Sequence, residues 1–225
     1  MRDNNRCTDD LYRKLDSCQK ALYESILDNK VTCCNARAGT GKTTIAVLAG
    51  FDMLKSGQIQ KIIYIRFPDQ LVQSLGHFPG DLAEKESYYM GPFIDACAEL
   101  GIDKTRLERE YFSCEEIVVC TNITLRGTNM KNSLVILDEA QNATFNDLKL
   151  VLTRLHDSCH CIIMGHSEQC DNKKAAVQKA FEAYINHMCQ KQWAKRIDLK
   201  TNYRGSISTW ADKLMLEDGK YYVEK

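Results

Sequence analysis

A glycine-rich stretch between residues 36 and 44 carries the residue types that hold phosphate. It reads Ala36-Arg37-Ala38-Gly39-Thr40-Gly41-Lys42-Thr43-Thr44. In such a loop between a strand and a helix, backbone N–H groups point at phosphate oxygens, the lysine reaches the β- and γ-phosphates, and a threonine hydroxyl ligates Mg²⁺. We therefore predict that residues 38–44 bind a nucleotide, with Lys42 on the phosphates and Thr43 on the metal.

The loop departs from the common pattern G-x-x-x-x-G-K-[ST] at one position, because Ala36 stands where the first glycine is usual. An ordinary helix-capping turn uses similar residues, so the flanking sequence must distinguish the two. Residues 31–35 read as a strand, and residues 43–54 read as a helix. This context favours the phosphate loop.

A second half of the same site lies further along the chain. Residues 133–138 form an apolar run that ends in Asp138, and Glu139 follows it. At a strand tip, Asp138 would hold Mg²⁺ through its water shell, and Glu139 would accept a proton from the attacking water. The alternative is an acidic pair at a helix N-terminus, where the helix dipole favours carboxylates.

Polar side chains also follow other predicted strands, at the edge where a shared site must lie. Gln169 is a candidate for sensing the γ-phosphate or orienting water. Arg204 is the first candidate for the guanidinium that stabilises developing charge in phosphoryl transfer. Arg66 and Arg154 are further candidates, with a structural ion pair as an equal alternative for both.

Apolar, β-branched runs alternate with helical patterns along the chain. The predicted strands are residues 31–35, 61–66, 116–121, 133–138, 159–165 and 196–199, and the predicted helices are 16–28, 43–55, 92–100, 145–156 and 173–191. This alternation predicts an α/β fold with a parallel sheet and right-handed crossovers. We expect one domain over residues 1–225, with residues 1–15 as an N-terminal extension.

One segment of the chain holds all three prolines. Pro68, Pro79 and Pro92 occur there together with Gly76 and Gly80. We expect this segment to be poor in regular structure and to form a functional loop, with a surface insertion without chemistry as the alternative.

The composition excludes several classes of protein. Thirty basic and thirty acidic residues cancel, so any nucleic-acid partner would need a local patch, for which the basic residues between 173 and 204 are candidates. No apolar run approaches a membrane span, and we expect a soluble, cytoplasmic protein. Several of the eleven cysteines lie in strand patterns, where a reduced thiol acts as a small hydrophobe, so neither a disulfide scaffold nor a zinc site is expected.

Together these motifs resemble the PhoH-like P-loop ATPases, which are related to superfamily-one helicase motor domains. The resemblance runs from about Gln19 to Arg204 and rests on residues 38–43, 65–68, 75–85, 91–95, 126–127, 136–142 and 152–154. It covers most of the chain and gives the proline-rich segment a place in the family pattern. The small size and the many cysteines would suit a virus-encoded member.

The resemblance implies a RecA-like core that binds and hydrolyses ATP with Mg²⁺. It also implies assembly into a ring, expected to be a hexamer, and action on single-stranded nucleic acid, RNA before DNA. Gln19 stands where helicase relatives read the adenine edge. Residues 202–204 are similar to the helicase motif whose arginine, here Arg204, approaches the γ-phosphate.

Two residues depart from the family pattern. His166 stands where the family has an aspartate before its sensor glutamine, and Arg37 replaces a customary proline. An imidazole at this place would slow or retune hydrolysis. Because of His166 and of Ala36 in the loop, a nucleotide-binding scaffold that barely hydrolyses ATP is the alternative function. A small-molecule kinase is a third and weaker hypothesis, because no arginine-rich lid is evident in the sequence.

Overall fold

The computed structural model describes residues 10–67, 82–121, 130–170, 172–211, 213–217 and 220–223. The helices are α1 (Ser17–Asp28), α2 (Lys42–Ser56), α3 (Leu82–Glu99), α4 (Lys104–Leu107), α5 (Phe145–Leu152), α6 (Lys173–Gln178), α7 (Ala180–Met188) and α8 (Ser206–Ala211). The strands are β1 (Val31–Asn35), β2 (Lys61–Arg66), β3 (Ile117–Thr121), β4 (Ser133–Asp138), β5 (His160–Gly165), β6 (Ala194–Arg196), β7 (Leu214–Glu217) and β8 (Lys220–Val223).

Six of the strands form one parallel sheet in the order β3-β2-β4-β5-β1-β6. Strands β7 and β8 form a separate antiparallel pair. The predicted α/β class with a parallel sheet is therefore confirmed.

Helices cover both faces of the sheet, because alternate strand residues point to opposite sides. On one face, Cys34, Tyr64 and Ile136 share a core with residues of α1, α2 and α3. On the other face, Cys33, Ile65 and Leu137 share a second core with residues of α5 and α7. The strands are therefore buried on both sides, as their continuous apolar runs predict.

The connections of the sheet create one crevice suited to a ligand. From β1 the chain crosses through α2 to β2, past β5 and β4, whereas from β5 it crosses through α6 and α7 in the other direction to β6. Neighbouring parallel strands whose connections leave in opposite directions mark a topological switch point, and ligands bind beyond their carboxyl ends. The predicted phosphate loop lies at this point.

Two predicted helices have different bounds in the structure. Lys179 adopts a left-handed conformation with φ 46°, so the predicted helix 173–191 is two helices, α6 and α7. The apolar stripe continues across this break, and periodicity alone could not show it. The predicted helix 92–100 begins at Leu82 and contains Pro92, because residues 82–89 are rich in strong helix formers.

Two further bounds are corrected by tertiary contacts. Helix α5 ends at Leu152 rather than at residue 156, since Leu155 leaves the helix to form a bridge with Met130. Strand β6 covers Ala194–Arg196 instead of residues 196–199, because Val31 pairs with Ala194 in the ladder. The predicted capping box of Thr144 and Asp147 at the start of α5 is confirmed.

The proline-rich segment and the N-terminus are described only in part. Residues 68–81 and 1–9 lie outside the described residues. The expectation of little regular structure is wrong for residues 82–92, which belong to α3. Within the expected N-terminal extension, Leu15 lies in the core, and Leu11 and Tyr12 pack against it.

The cysteine-rich start of β5 follows the alternation of a strand. Cys159 and Cys161 lie in the second core, while His160 Nδ1 donates to the Asn29 carbonyl oxygen at 2.8 Å. None of the ten cysteines within the described ranges forms a disulfide. No helix in the described part of the chain is both long enough and apolar enough to cross a bilayer.

Candidate nucleotide site

The loop between β1 and α2 has the backbone geometry that its glycines predict. Gly39 and Gly41 have φ angles of 78° and 84°, in the left-handed region that side chains rarely adopt. Lys42 Nζ donates to the carbonyl oxygens of Ala36 at 2.6 Å and Arg37 at 2.9 Å, so its ammonium folds over the start of the loop. The loop is thus ordered around the lysine that we predict to bind phosphate.

The threonine of this loop contacts the acidic motif directly. Thr43 Oγ1 donates to Asp138 Oδ2 at 3.2 Å, across 95 residues of sequence. A hydroxyl that gives its hydrogen to a carboxylate keeps its lone pairs for a cation. The pair therefore offers two hard oxygen ligands at one place, as Mg²⁺ requires.

Asp138 is held by donors from three segments of the chain. Besides Thr43, the Tyr64 hydroxyl donates to Oδ2 at 2.5 Å, and the Glu139 backbone N–H donates to Oδ1 at 3.0 Å. Burial, and then the neighbouring Glu139 charge, raise the pKa of Asp138, while Tyr64, Arg66 and Lys42 oppose the rise. A bound cation would offset the same cost of burying this carboxylate. The electrostatics of the site therefore fit a metal ion.

Glu139 leaves the strand in a different direction from Asp138. Its backbone is left-handed, with φ 52°, and Gln141 Nε2 donates to Glu139 Oε2 at 2.6 Å. The same amide nitrogen donates to the Gln169 carbonyl oxygen at 3.2 Å, and Gln141 Oε1 accepts from the His166 N–H at 3.1 Å. Gln141 thus ties the predicted general base to the loop after β5.

Sequence reasoning did not assign a role to Gln141. An amide in a turn has no chemical signature of its own, and the only signal was its position within the motif that ends β4. The structure adds a second signal. A Cβ at Gly165 would collide with Gln141 Oε1, so glycine at the end of β5 makes room for this amide.

The segment of residues 166–170, which we call the β5 loop, is also tied to the phosphate loop. Asn35 Nδ2 donates to Ser167 Oγ at 3.0 Å, and the Ser167 N–H donates to Asn35 Oδ1 at 3.2 Å. Arg37 Nη2 lies 3.7 Å from Glu168 Oε2, and His166 Nε2 lies 3.9 Å from the same oxygen. The β5 loop therefore lies between the two predicted halves of the site and touches both.

Residues 202–204 pack onto the phosphate loop from outside the sheet. The Tyr203 N–H donates to the Gly39 carbonyl oxygen at 2.8 Å. A Cβ at Gly39 would lie 2.6 Å from Asn202 Oδ1 and 2.9 Å from Arg204 Cγ. The structure thus brings Arg204 beside the loop, and its role at the γ-phosphate stays a prediction.

Gln19 contacts the loop from α1. Its Oε1 accepts from the Asp16 N–H and its Nε2 donates to the Thr40 carbonyl oxygen, both at 3.1 Å. The amide is buried and supports the loop backbone. Its predicted role in reading an adenine edge is not tested by these contacts.

Two of the remaining predicted residues, Arg66 and Gln169, lie at the same edge of the sheet as Asp138. Arg66 ends β2 in register with Asp138. Gln169 contributes its backbone carbonyl to the contact with Gln141. Ala38 and Thr44 flank the glycines and are partly exposed. Arg154 follows α5, and its neighbour Leu155 forms a bridge with Met130, just before β4 begins. Arg154 therefore lies toward the opposite edge of the sheet, and its candidacy at the site is wrong.

The sequence that carries these elements matches a known family. The model of the PhoH-like protein family matches residues 13–213. The chain belongs to the PhoH-like family. Among its relatives, the PhoH-like protein of Bacillus subtilis is 41% identical over 140 residues, which cover 61% of this chain and 42% of that protein. Protein PhoH of Escherichia coli K12 is 33% identical over 156 residues, which cover 68% of this chain and 43% of that protein.

The match to these PhoH-like relatives spans less than half of their length. A solved structure, the Hef helicase domain of Pyrococcus furiosus, is similar at 12% sequence identity and a TM-score of 0.42. The alignment covers 88% of this chain and 40% of that chain. A likeness at this level carries no argument about function. The family membership and the P-loop fold therefore rest on the family match and on the geometry described above.

Proposed function

We propose that this chain is a Mg²⁺-dependent ATPase that couples nucleotide turnover to single-stranded nucleic acid, with RNA preferred over DNA. The observation that carries the proposal is the contact between Thr43 Oγ1 and Asp138 Oδ2. It joins the phosphate loop and the acidic strand end into one site. Neither half alone would suffice, because a phosphate loop without a metal carboxylate could equally be a capping turn.

In this proposal the loop residues bind the triphosphate. Residues 38–44 direct backbone N–H groups at the phosphates, and Lys42 exchanges its loop carbonyls for β- and γ-phosphate oxygens. Thr43 and Asp138 would hold Mg²⁺, which supplies charge neutralisation for the phosphates when it is bound. Arg66 lies close enough to Asp138 to affect its electrostatics and would add positive charge at the same edge.

The acidic motif and the β5 loop would carry the hydrolytic step. Glu139 accepts the proton of the attacking water, and Gln141 holds the carboxylate in place through the 2.6 Å hydrogen bond. Gln169 senses the γ-phosphate, and Arg204, beside Gly39, stabilises the charge that develops on the transferred group. All four residues lie on segments that contact the phosphate loop or the acidic motif.

The nucleic-acid partner and the ring assembly rest on the family resemblance. The structure offers a set of exposed basic residues for the partner, namely Lys174, Lys179, Lys191, Lys195, Arg196, Lys200 and Arg204. Exposed cations of this kind bind phosphates without reading sequence, which suits a single-stranded partner. Light scattering of the intact chain with and without ATP tests the hexameric ring.

The test of the proposal is phosphate release from ATP and Mg²⁺, measured with and without single-stranded RNA or DNA. We predict release above background in the parent, loss of ATP binding in Lys42→Ala, and retained binding without turnover in Glu139→Gln. Lys55→Ala is the matched control, because Lys55 lies on the same helix near its other end. Turnover at the parental rate in Glu139→Gln would show that the general base lies elsewhere.

A nucleotide-binding scaffold with little hydrolysis is the second candidate. Two observations support it. Lys42 Nζ already donates to two loop carbonyl oxygens. His166, which stands where the family has an aspartate, lies 3.9 Å from Glu168 Oε2. Phosphate release at background under every condition, together with tight ATP binding, would favour this scaffold.

A further inference from the structure

Tyr64 lies at the site although no phosphate chemistry requires a tyrosine there. It is on β2, which pairs with β4, and its side chain is fully buried. Its hydroxyl donates to Asp138 Oδ2 at 2.5 Å. A buried hydroxyl without a partner is costly, so this hydrogen bond accounts for a polar group in the middle of an apolar strand.

The phenol acts only as a donor in this contact. Its O–H is the hydrogen donor, and Asp138 Oδ2 is the acceptor. Hydrogen bonds to charged acceptors are shorter and stronger than neutral ones.

Tyr64 and Thr43 hold the same carboxylate oxygen from different elements. Thr43 reaches Asp138 Oδ2 from the start of α2, and Tyr64 reaches it from β2. The Thr43 hydroxyl is itself a predicted metal ligand, whereas the Tyr64 hydroxyl contacts only the carboxylate among the described residues. Tyr64 is remote from the phosphate loop in sequence and is fixed by packing.

The ring of Tyr64 is held by an aromatic neighbour. It packs against Phe93 of α3, with ring centroids 5.2 Å apart and planes tilted by 49°. Phe93 is fully buried as well. The hydroxyl is therefore placed by the core of the domain, which makes it a rigid support for the carboxylate.

We propose that Tyr64 is a positioning residue for the metal, which orients the Asp138 carboxylate toward the Mg²⁺ that accompanies the nucleotide. This proposal rests on the proposed function, since it assumes a Mg²⁺ and nucleotide site at Thr43 and Asp138. Partners that orient metal ligands typically change metal affinity by about 10- to 100-fold when they are removed. We therefore expect the hydroxyl of Tyr64 to set the Mg²⁺ concentration that the site needs.

The experiment is a calorimetric titration of the intact chain with a non-cleavable ATP analogue over a series of Mg²⁺ concentrations. Tyr64→Phe removes the hydroxyl and keeps the ring against Phe93, whereas Tyr64→Leu removes both. Tyr111→Phe is the control, because Tyr111 packs edge-on against Phe51 with centroids 5.1 Å apart and lies away from Asp138 in the fold.

We expect the Mg²⁺ concentration for half of the metal-dependent gain in affinity to rise about tenfold in Tyr64→Phe and in Tyr64→Leu. Analogue affinity without Mg²⁺ should stay at the parental value, as should every value for Tyr111→Phe. An unchanged Mg²⁺ requirement in Tyr64→Phe would overturn the proposal. If the Mg²⁺ requirement rose only in Tyr64→Leu, the effect would come from packing of the ring, and the proposal would again be wrong. If the parent itself bound no analogue with Mg²⁺, the proposed function would fail first and this inference with it.

Discussion

Asp138 and Glu139 are adjacent carboxylates whose surroundings give them different properties. Asp138 is 3% exposed and accepts hydrogen bonds from Thr43, Tyr64 and the Glu139 backbone. Glu139 turns away through a left-handed backbone and is held by the Gln141 amide. One carboxylate is thus held where Mg²⁺ binding is proposed, and the other faces the β5 loop, where water activation is proposed.

The hydrogen bond from Gln141 to Glu139 should matter for turnover more than for binding. In Gln141→Leu we expect kcat to fall by roughly tenfold or more, because a hydrogen bond to a charged group is worth about 1.5–3 kcal/mol. KM for ATP should change little, since Gln141 is predicted to touch no phosphate. Steady-state phosphate release gives both constants, with Gln190→Leu, an exposed glutamine, as the control. A parental kcat in Gln141→Leu would refute the positioning role.

The close approach of residues 202–204 to Gly39 gives a second prediction at this scale. Gly39→Ala should weaken ATP binding about tenfold or more, because the new Cβ would meet Asn202 Oδ1 at 2.6 Å at a φ of 78°. Gly57→Ala is the matched control, since Gly57 has φ 74° and a Cβ there would meet no atom within 4 Å. Both variants should lose some thermal stability, but only the first should lose affinity in equilibrium binding. Equal affinities of the two variants would show that this close approach does not shape the loop.

At the scale of elements, burial decides which features the sequence reveals. The bounds of β1, β2 and β4 agree with the apolar runs, because strands covered by helices on both faces keep a continuous apolar signal. The break at Lys179 and the early end of α5 depend on contacts with distant residues, and no local pattern records such contacts. The phosphate loop and Asp138 have a sequence signature because phosphate chemistry fixes their residue types. Gln141 and Tyr64 act through hydrogen bonds between distant segments, which leave no such signature.

The start of β5 predicts a pH dependence of stability. Burial, and then the Lys30 charge, lower the pKa of His160 below its usual 6.5. The unfolded chain therefore binds a proton at His160 before the folded chain does, so stability falls as pH drops through the unfolded pKa. The range from about pH 7.5 to 5.5 brackets the pKa of an unfolded histidine. Over this range, the free energy of unfolding measured in urea should fall less in His160→Gln than in the parent. The control is His187→Gln, at an exposed histidine, which should show the same pH dependence of stability as the parent. If His160→Gln also showed the parental pH dependence, His160 would not be its cause.

At the scale of the molecule, the two faces of the sheet hold one site together. Helices α1 and α2 on one face carry Gln19 and Thr43, while the motif that ends β4 continues toward α5 on the other face. The β5 strand between β1 and β4 carries the loop that touches both. A site assembled in this way depends on the whole sheet, so its two halves should be thermodynamically coupled.

The most direct test of this coupling is calorimetry of a non-cleavable ATP analogue with and without Mg²⁺, for the parent, Thr43→Val and Asp138→Asn. We predict that Mg²⁺ tightens binding to the parent and that either substitution abolishes this metal-dependent gain, although the two residues lie 95 positions apart. The double variant should lose no more of the gain than either single one. A metal-dependent gain that survives both substitutions would contradict the claim that the loop and the acidic strand end hold one magnesium nucleotide.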